Sequence, residues 1–287
     1  LSNALNIPNQ NEIYTTTGGN SPQLALNEVA NRIKDNQIEC ALLAGGEALD
    51  TFVGRLKEGL EVNWADDPGG RPESIGKSLD GTNDHEKLQG LFDPSSVYPL
   101  FANSLRGANH QTVDEHMQDT GMLFEEFSRV ASKNEFAWFP IHRSAEEIAE
   151  VKPENRMIGL PYTKYMNSIM RVNQSCAMVM MSAKKARELG VPESKWIFMY
   201  SGACLNDIWN VSDRVDYYSS PAIKACTDSV FDLANISINQ VDFIDLYSCF
   251  PSAVQIAMKE LSLEANDPRG LTLSLIHISE PTRHVDI

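Results

Sequence analysis

Apolar positions along the chain switch between a strand period and a helix period. Ile13 to Thr17 reads as a strand, and Leu26, Val29, Ala30 and Ile33 then recur at helical spacing. Between them Ser21 is a candidate N-cap, with Pro22 at the first helical position, where its fixed φ fits. Cys40 to Ala44 is a continuous apolar run, the pattern of a strand covered on both faces. Gly45-Gly46 is expected to turn that strand into a second helix from Glu47. Strand, helix, strand, helix in this order predicts an α/β chain with a parallel sheet.

From about Glu61 to Tyr162 the pattern changes to polar, Gly/Pro-rich sequence followed by helical stretches near 97–108 and 112–132. Sheet-like patterning then returns. Cys176 to Met181 reads as an apolar strand, and the helix Ala183 to Leu189 closes at Gly190 with Pro192 as a stop. Lys195 to Tyr200 and Val241 to Leu246 read as further strands. A helix opens at Ser219-Ser220-Pro221 and runs to about Asn235, and another spans Phe250 to Leu263. The closing SLIHISEPTRHVDI breaks style after Leu273 and resembles translated sequencing-adapter sequence, so residues 274–287 are expected to add nothing to a core.

Charge narrows the partners. Lys and Arg total 24 against 39 Asp and Glu, a formal charge of −15, which argues against nucleic-acid or anionic-membrane surfaces. An anionic ligand would need a local basic pocket. The longest apolar runs, such as Cys176 to Met181, are too short to span a bilayer. Five cysteines (40, 176, 204, 226, 249), widely spaced and without Cys-x-x-Cys, fit reduced thiols in a cytosol better than disulfides or zinc. The histidines show no metal-ligand spacing, and no metal or other cofactor is expected.

The sharpest candidate for chemistry is IDLYSCFPSAVQIA. Ligands of open α/β sheets sit at the carboxyl ends of strands, and Tyr247, Ser248, Cys249 and Phe250 lie at such an end, where the next helix begins. A thiol there sees the positive end of the helix dipole, which would lower its pKa toward thiolate. A small apolar cysteine filling the junction is the bland alternative. Cys40 and Cys176 sit in apolar strands and Cys226 within a helix, while Cys204 reads as core or loop filler. Met178, Met180 and Met181 read as strand core. The second candidate is the elbow Gly18-Gly19-Asn20-Ser21, a tight strand-to-helix turn that holds no cysteine.

Three segments together resemble the thiolase superfamily, in its bacterial, sterol-carrier-thiolase-related branch. They are IYTTTGGNSPQLALNEVANRI with CALLAGGEALD, then NRMIGLPYTKYMNSIMRVNQSCAMVMMSAKKARELGVP, and VDFIDLYSCFPSAVQIAMKEL. The resemblance runs in order through residues 12–273 and implies a layered αβαβα fold of two βαβ halves with an inserted loop domain. On it, residues 1–60 are the remainder of the N-terminal half and 61–165 the inserted domain. Residues 166–192 return to the N-terminal half, 193–273 begin the C-terminal half, and the chain is a piece truncated at both ends. Truncation is expected to leave apolar sheet faces uncovered.

The resemblance places the family's nucleophilic cysteine at Gly19, which cannot carry an acyl group. Tyr247 stands where the family has Asn or His. Two readings follow. One is an acyltransferase acting on acyl-CoA thioesters, with Cys249, Tyr247 and Ser248 as catalytic candidates and the elbow Gly18, Gly19, Asn20 and Ser21 supplying oxyanion donors. The other is a non-catalytic acyl-CoA-binding protein or complex subunit. Arg106, His110 and Lys164, in or beside the inserted block, are candidates for holding CoA. A cytoplasmic homodimer is implied for the whole protein, and the two candidate turns are expected to converge on one thioester.

Overall fold

The computed structural model describes residues 2–7, 11–62, 64 and 71–273. The tail 274–287 and its expected lack of packing lie outside the described residues. In chain order the elements are α1 (Ser2–Leu5), β1 (Ile13–Thr15), α2 (Ser21–Lys34), β2 (Cys40–Ala48), α3 (Leu49–Lys57) and β3 (Glu73–Ile75). Next come α4 (Asp84–Leu88), α5 (Pro94–Ala108), α6 (Val113–Ala131), α7 (Ala145–Ala149), β4 (Met157–Gly159) and β5 (Tyr162–Thr163). The last are β6 (Asn173–Met181), α8 (Ala183–Glu188), α9 (Pro221–Ala234) and α10 (Pro251–Leu261). They gather into two compact units, Leu1–Leu79 with Arg171–Cys204, and Asp80–Met170 with Leu205–Ile287. No helix among the described residues is long and apolar enough to cross a membrane.

In the first unit β1 pairs in parallel with β3, and β2 pairs antiparallel with β6 from Cys40 opposite Met181 to Ala48 opposite Asn173. This corrects the expected parallel pairing of the first two strands. Gly45 and Gly46 do not turn the chain either, because they lie inside the ladder opposite Cys176 and Ser175. Glycine has no Cβ to forbid either conformation, so the long run of cross-strand partners decides for extension. The helix that follows therefore starts at Leu49 and not at Glu47. Thr51 N donates to Asn173 Oδ1 at 3.0 Å and Arg171 pairs with Asp50 at 3.0 Å, which fastens α3 to the start of β6. Arg32 on α2 reaches both Glu28 and Glu73, tying that helix to β3.

The β2–β6 ribbon is not covered on both faces. Leu42, Met178 and Val179 stand about half exposed, and Cys40 and Cys176 are exposed as well. The strand expected at 195–200 is absent, and Ile197, Phe198 and Tyr200 are exposed. A strand exists only with a ladder partner, and among the described residues this segment has none.

The second unit holds the larger core. α6 opens with a capping box in which Thr112 accepts from Glu115 N and Glu115 accepts from Thr112 N. Its buried face, including Met117, Leu123, Phe124, Phe127 and Ala131, follows the helical period. Gly121 lets α7 cross closely, since a Cβ there would meet Ala145 O at 2.5 Å. Phe127, Tyr162, Met166 and Val254 are fully buried at the centre. Asn155, also fully buried, donates to the Ile148 and Glu150 carbonyls and accepts from Tyr165 N, which fixes the turn leading into β4 and β5. α9 begins as expected, with Ser220 capping Ile223 N and Asn235 ending it in the left-handed region. The expected strand 241–246 is again unpaired as a strand. Leu246 N bonds Leu271 O, and Asp245 Oδ1 takes up Leu273 N.

Candidate active site

The elbow and the Tyr247-to-Phe250 turn fall in different units. At the elbow Asn20, not Ser21, occupies the N-cap of α2, and no side chain caps the helix. Ser21 is turned inward and buried, its Oγ donating to Thr16 O at 2.6 Å. The hydroxyl is thus committed to the backbone and is neither a cap nor a free nucleophile. Gly18 sits in a tight turn where a Cβ would come within 3.0 Å of Asn20 Oδ1 and 3.1 Å of Ser21 Oγ. Gly19 is exposed in the turn itself.

A thiol does stand at this elbow, from a distant stretch of sequence. Cys204 Sγ lies 4.0 Å from Asn20 Nδ2. Gly202 makes the approach possible, since a Cβ there would strike Asn27 Oδ1 on α2 at 2.2 Å. The sequence reading of Cys204 as filler missed this, and the glycine two residues earlier was the available signal. Cys204 is exposed, whereas Cys249 is partly buried and packs against the core. Brief alkylation at neutral pH, mapped by mass spectrometry, is therefore expected to modify Cys204 at least about tenfold faster than Cys249. Equal rates would show that the second thiol is accessible.

The second turn is built from the N-terminus of α10. Phe250 is its N-cap and Pro251 its first helical residue. Phe250 stacks on Tyr98 of α5 with ring centroids 4.2 Å apart and planes 11° apart, and Tyr162 of β5 lies 5.8 Å from it on another side. Tyr162 OH accepts from Ser252 N at 3.1 Å, satisfying one of the helix's free amides. Cys249 donates its thiol hydrogen to Tyr98 Oη at 3.4 Å, and its carbonyl accepts from Ser168 N at 3.4 Å. Ser248 and Ser252 are buried, and the Ser252 hydroxyl has no hydrogen-bond partner among the described residues.

Electrostatics overturn the thiolate expectation for Cys249. Burial pushes its pKa up, and the hydrogen bonds from Tyr98 and Tyr247 offset this only in part. Burial likewise raises Tyr98, Tyr162 and Tyr247 well above the ordinary phenol range. At neutral pH the cluster is therefore a thiol and three phenols, all protonated. It can donate hydrogen bonds and protons, but it holds no base that would make Cys249 a nucleophile.

Tyr98, Tyr247 and Ser252 lie on the wall of a cavity of about 460 Å³. Its charged lining residues are Asp207 and Arg214, paired with each other at 3.5 Å. Tyr98 and Tyr162, which pack around the candidates Tyr247, Ser248 and Cys249, come from the inserted block and carry no local motif in the sequence. Arg106, His110 and Lys164 are not on the cavity wall. Arg106 closes the turn after α5, donating to Gln111 O at 2.9 Å and Asn103 Oδ1 at 3.3 Å. His110 is exposed in that turn with φ of 55°. Lys164 starts a single 3₁₀ turn after β5.

No protein-family model matches the chain. It is 24% identical over 245 residues to an acetyl-CoA acetyltransferase of Methanocaldococcus jannaschii, covering 80% of this chain and 57% of that protein. Among solved structures it is similar to a monomeric SCP2-thiolase like protein type 1 from Mycobacterium smegmatis. The TM-score is 0.75 and the identity 30%, over 92% of this chain and 51% of the other. The dimeric peroxisomal thiolase of Saccharomyces cerevisiae matches at TM-score 0.51 and 15% identity, over 90% of this chain and 63% of that one. The chain thus spans just over half the length of the first two proteins. Its fold is the α/β fold of these neighbours.

Proposed function

The chain belongs to the thiolase superfamily, on its sterol-carrier-thiolase-like side, and from that premise we propose that it is an acyltransferase acting on acyl-CoA thioesters without the usual elbow cysteine. One observation carries the reading. Cys249, Tyr98 and Tyr247 form a protonated cluster at the head of α10, beside a cavity of ligand size. Such donors suit the carbonyl oxygen and α-carbon of a thioester, where negative charge develops during Claisen-type chemistry.

The roles follow from the protonation states. Cys249 acts as a proton donor in place of a nucleophile, with Tyr98 and Tyr247 holding it through hydrogen bonds. In the thiolysis direction the sulfur of free CoA attacks the 3-keto carbon and the bond between the α and β carbons breaks. The departing enolate takes its proton from Cys249, and the proton lost by the CoA thiol restores it. Ser248 supports the turn from its buried position. Gly18, Gly19, Asn20 and Ser21 remain candidate donors of the elbow in the first unit, although Ser21 N is already bonded to Gly18 O at 3.0 Å. Arg106, His110 and Lys164 remain candidates for the CoA phosphates, Arg106 the weakest because its guanidinium is already engaged. A cytoplasmic setting and a homodimer belong to the same proposal, both supported by the resemblance alone.

The test is turnover of acetoacetyl-CoA and CoA by the whole protein. Cys249→Ala is expected to lower kcat by about 100-fold or more, the scale of a lost general acid. The competing reading is a non-catalytic acyl-CoA-binding protein, favoured by the absence of any cysteine from Leu1 to Glu39. Binding of acyl-CoA without turnover would establish it. Turnover unaffected by the substitution would remove Cys249 from the chemistry.

A further inference from the structure

A polar seam runs between α6 and α10 inside the second unit. His116 and Thr120 stand one turn apart on α6, each 1% exposed, and so share one face of the helix. From α10, Gln255 donates its amide Nε2 to Thr120 Oγ1 at 3.4 Å. Two acceptors at this seam, His116 Nε2 and Gln255 Oε1, are buried with no hydrogen-bond partner among the described residues. They do not bond each other either. A buried acceptor without a donor is costly, and in folded proteins such atoms are paired as a rule, often by ordered water.

The neighbours of His116 fix which of its ring nitrogens needs a donor. Gln111 gives its amide Nε2 to the Asp119 carboxylate at 2.5 Å. An ionised carboxylate only accepts, so the carboxamide of Gln111 presents its Oε1 to His116 Nδ1, at 3.4 Å. That oxygen is an acceptor as well, which puts the ring hydrogen on Nδ1. Burial lowers the pKa of His116, so the ring is neutral at neutral pH and Nε2 is a bare acceptor. Thr120 completes the set. Its hydroxyl accepts from Gln255, and its own hydrogen can donate.

We infer that this seam is a binding site for one internal water molecule, held by His116, Thr120 and Gln255. The water donates one hydrogen to His116 Nε2 and the other to Gln255 Oε1, and it accepts from the Thr120 hydroxyl. About three hydrogen bonds is the usual number for a buried water. An ion suits the site less well. An anion would face two bare acceptors, and three neutral side chains give a cation no charge to offset its lost hydration. The water ties α6 to α10, the helix whose head forms the Tyr247-to-Phe250 turn. The site stands independently of the acyl-CoA reading.

The test joins a crystal structure of the whole protein, at a resolution that places waters, to a double-mutant cycle. One water is expected about 2.7–3.2 Å from each of His116 Nε2, Gln255 Oε1 and Thr120 Oγ1. Direct contact between the imidazole and the Gln255 amide, or another side chain filling the seam, would overturn the inference. Nitrogen NMR spectra at neutral pH are expected to show the His116 hydrogen on Nδ1. A hydrogen on Nε2 would make that atom a donor and sink the proposed bonding. Gln255→Leu and His116→Phe are each expected to raise the unfolding equilibrium constant about 10-fold, because each strands the bonds that remain. The double variant deletes both acceptors, so its constant should stay within about threefold of the worse single variant. A double effect equal to the product of the two single effects would show that nothing links the side chains, and would also overturn the inference. The structure and the spectra use the unaltered chain, so they decide the matter even where a variant fails to fold.

Discussion

Replacing Phe250 by alanine is expected to destabilise the unit containing α5, α6 and α10 by about 3–5 kcal/mol, the usual cost of deleting a buried aromatic ring. The effect has several sources in one side chain. Phe250 is 6% exposed, stacks face to face on Tyr98 and packs beside Tyr162. It also holds the N-cap position of α10, where no side-chain hydrogen bond fixes the helix start. Packing therefore sets where α10 begins. A cavity at this point would loosen Tyr98, and with it the phenol that accepts from Cys249. Urea unfolding measures the loss as a lower midpoint with an unchanged slope. Tyr98→Phe separates packing from chemistry, because it keeps the stacked ring and deletes only the hydroxyl. It is expected to cost about 1 kcal/mol while lowering turnover as Cys249→Ala does. Loss of less than about 1 kcal/mol in Phe250→Ala would mean that the stack does not hold the helix start.

Much of this arrangement was legible where the determinants are local. The Ser220-Pro221 helix start and the left-handed Gly190 after α8 each depend on residues within one turn, and the structure has them where the pattern put them. Ser21 shows the limit of that reasoning. Its residue type suits an N-cap, yet burial and a carbonyl acceptor on Thr16 claim the hydroxyl, and the helix start moves to Asn20. Lys195 to Tyr200 and Val241 to Leu246 carry strand-like residues, but strand formation depends on a partner that the local sequence does not reveal.

The candidate site divides in the same way. Tyr247, Ser248 and Cys249 are candidates by a local signal, the helix start at Phe250-Pro251, which the structure has, although the strand expected before it does not form. Tyr98 and Tyr162 stand 151 and 90 residues from their partners Cys249 and Ser252, and only tertiary packing joins them. The positive end of α10 favours a thiolate at Cys249, but desolvation by burial opposes it and dominates the shift.

Those raised pKa values predict a large alkaline effect on stability. Cys249, Tyr98, Tyr162 and Tyr247 all hold their protons to higher pH in the folded chain than in the unfolded one, with burial as the leading cause. Once the pH passes a group's unfolded pKa, the unfolded chain releases a proton that the folded chain retains. Stability then falls with rising pH by ~1.4 kcal/mol per pH unit for each such group. The stabilising contribution is complete below the unfolded value and is lost as pH rises toward the folded one. The thiol should act first, above about pH 8.5, and the phenols above about pH 10. Tyr247 is 56% exposed, so solvent screening reduces its share, and Tyr98 and Tyr162 carry most of the effect. The urea midpoint is expected to hold steady from about pH 7 to about pH 8.5. By about pH 11 the loss should reach several kcal/mol. Other titrating residues contribute to any alkaline decline, so the decisive comparison is with the double variant Tyr98→Phe, Cys249→Ala. Removing two of the four protons should flatten the decline by at least about 1 kcal/mol over that interval. If the double variant loses stability as steeply as the parent, the fold does not hold the Cys249 and Tyr98 protons more tightly than the unfolded chain does.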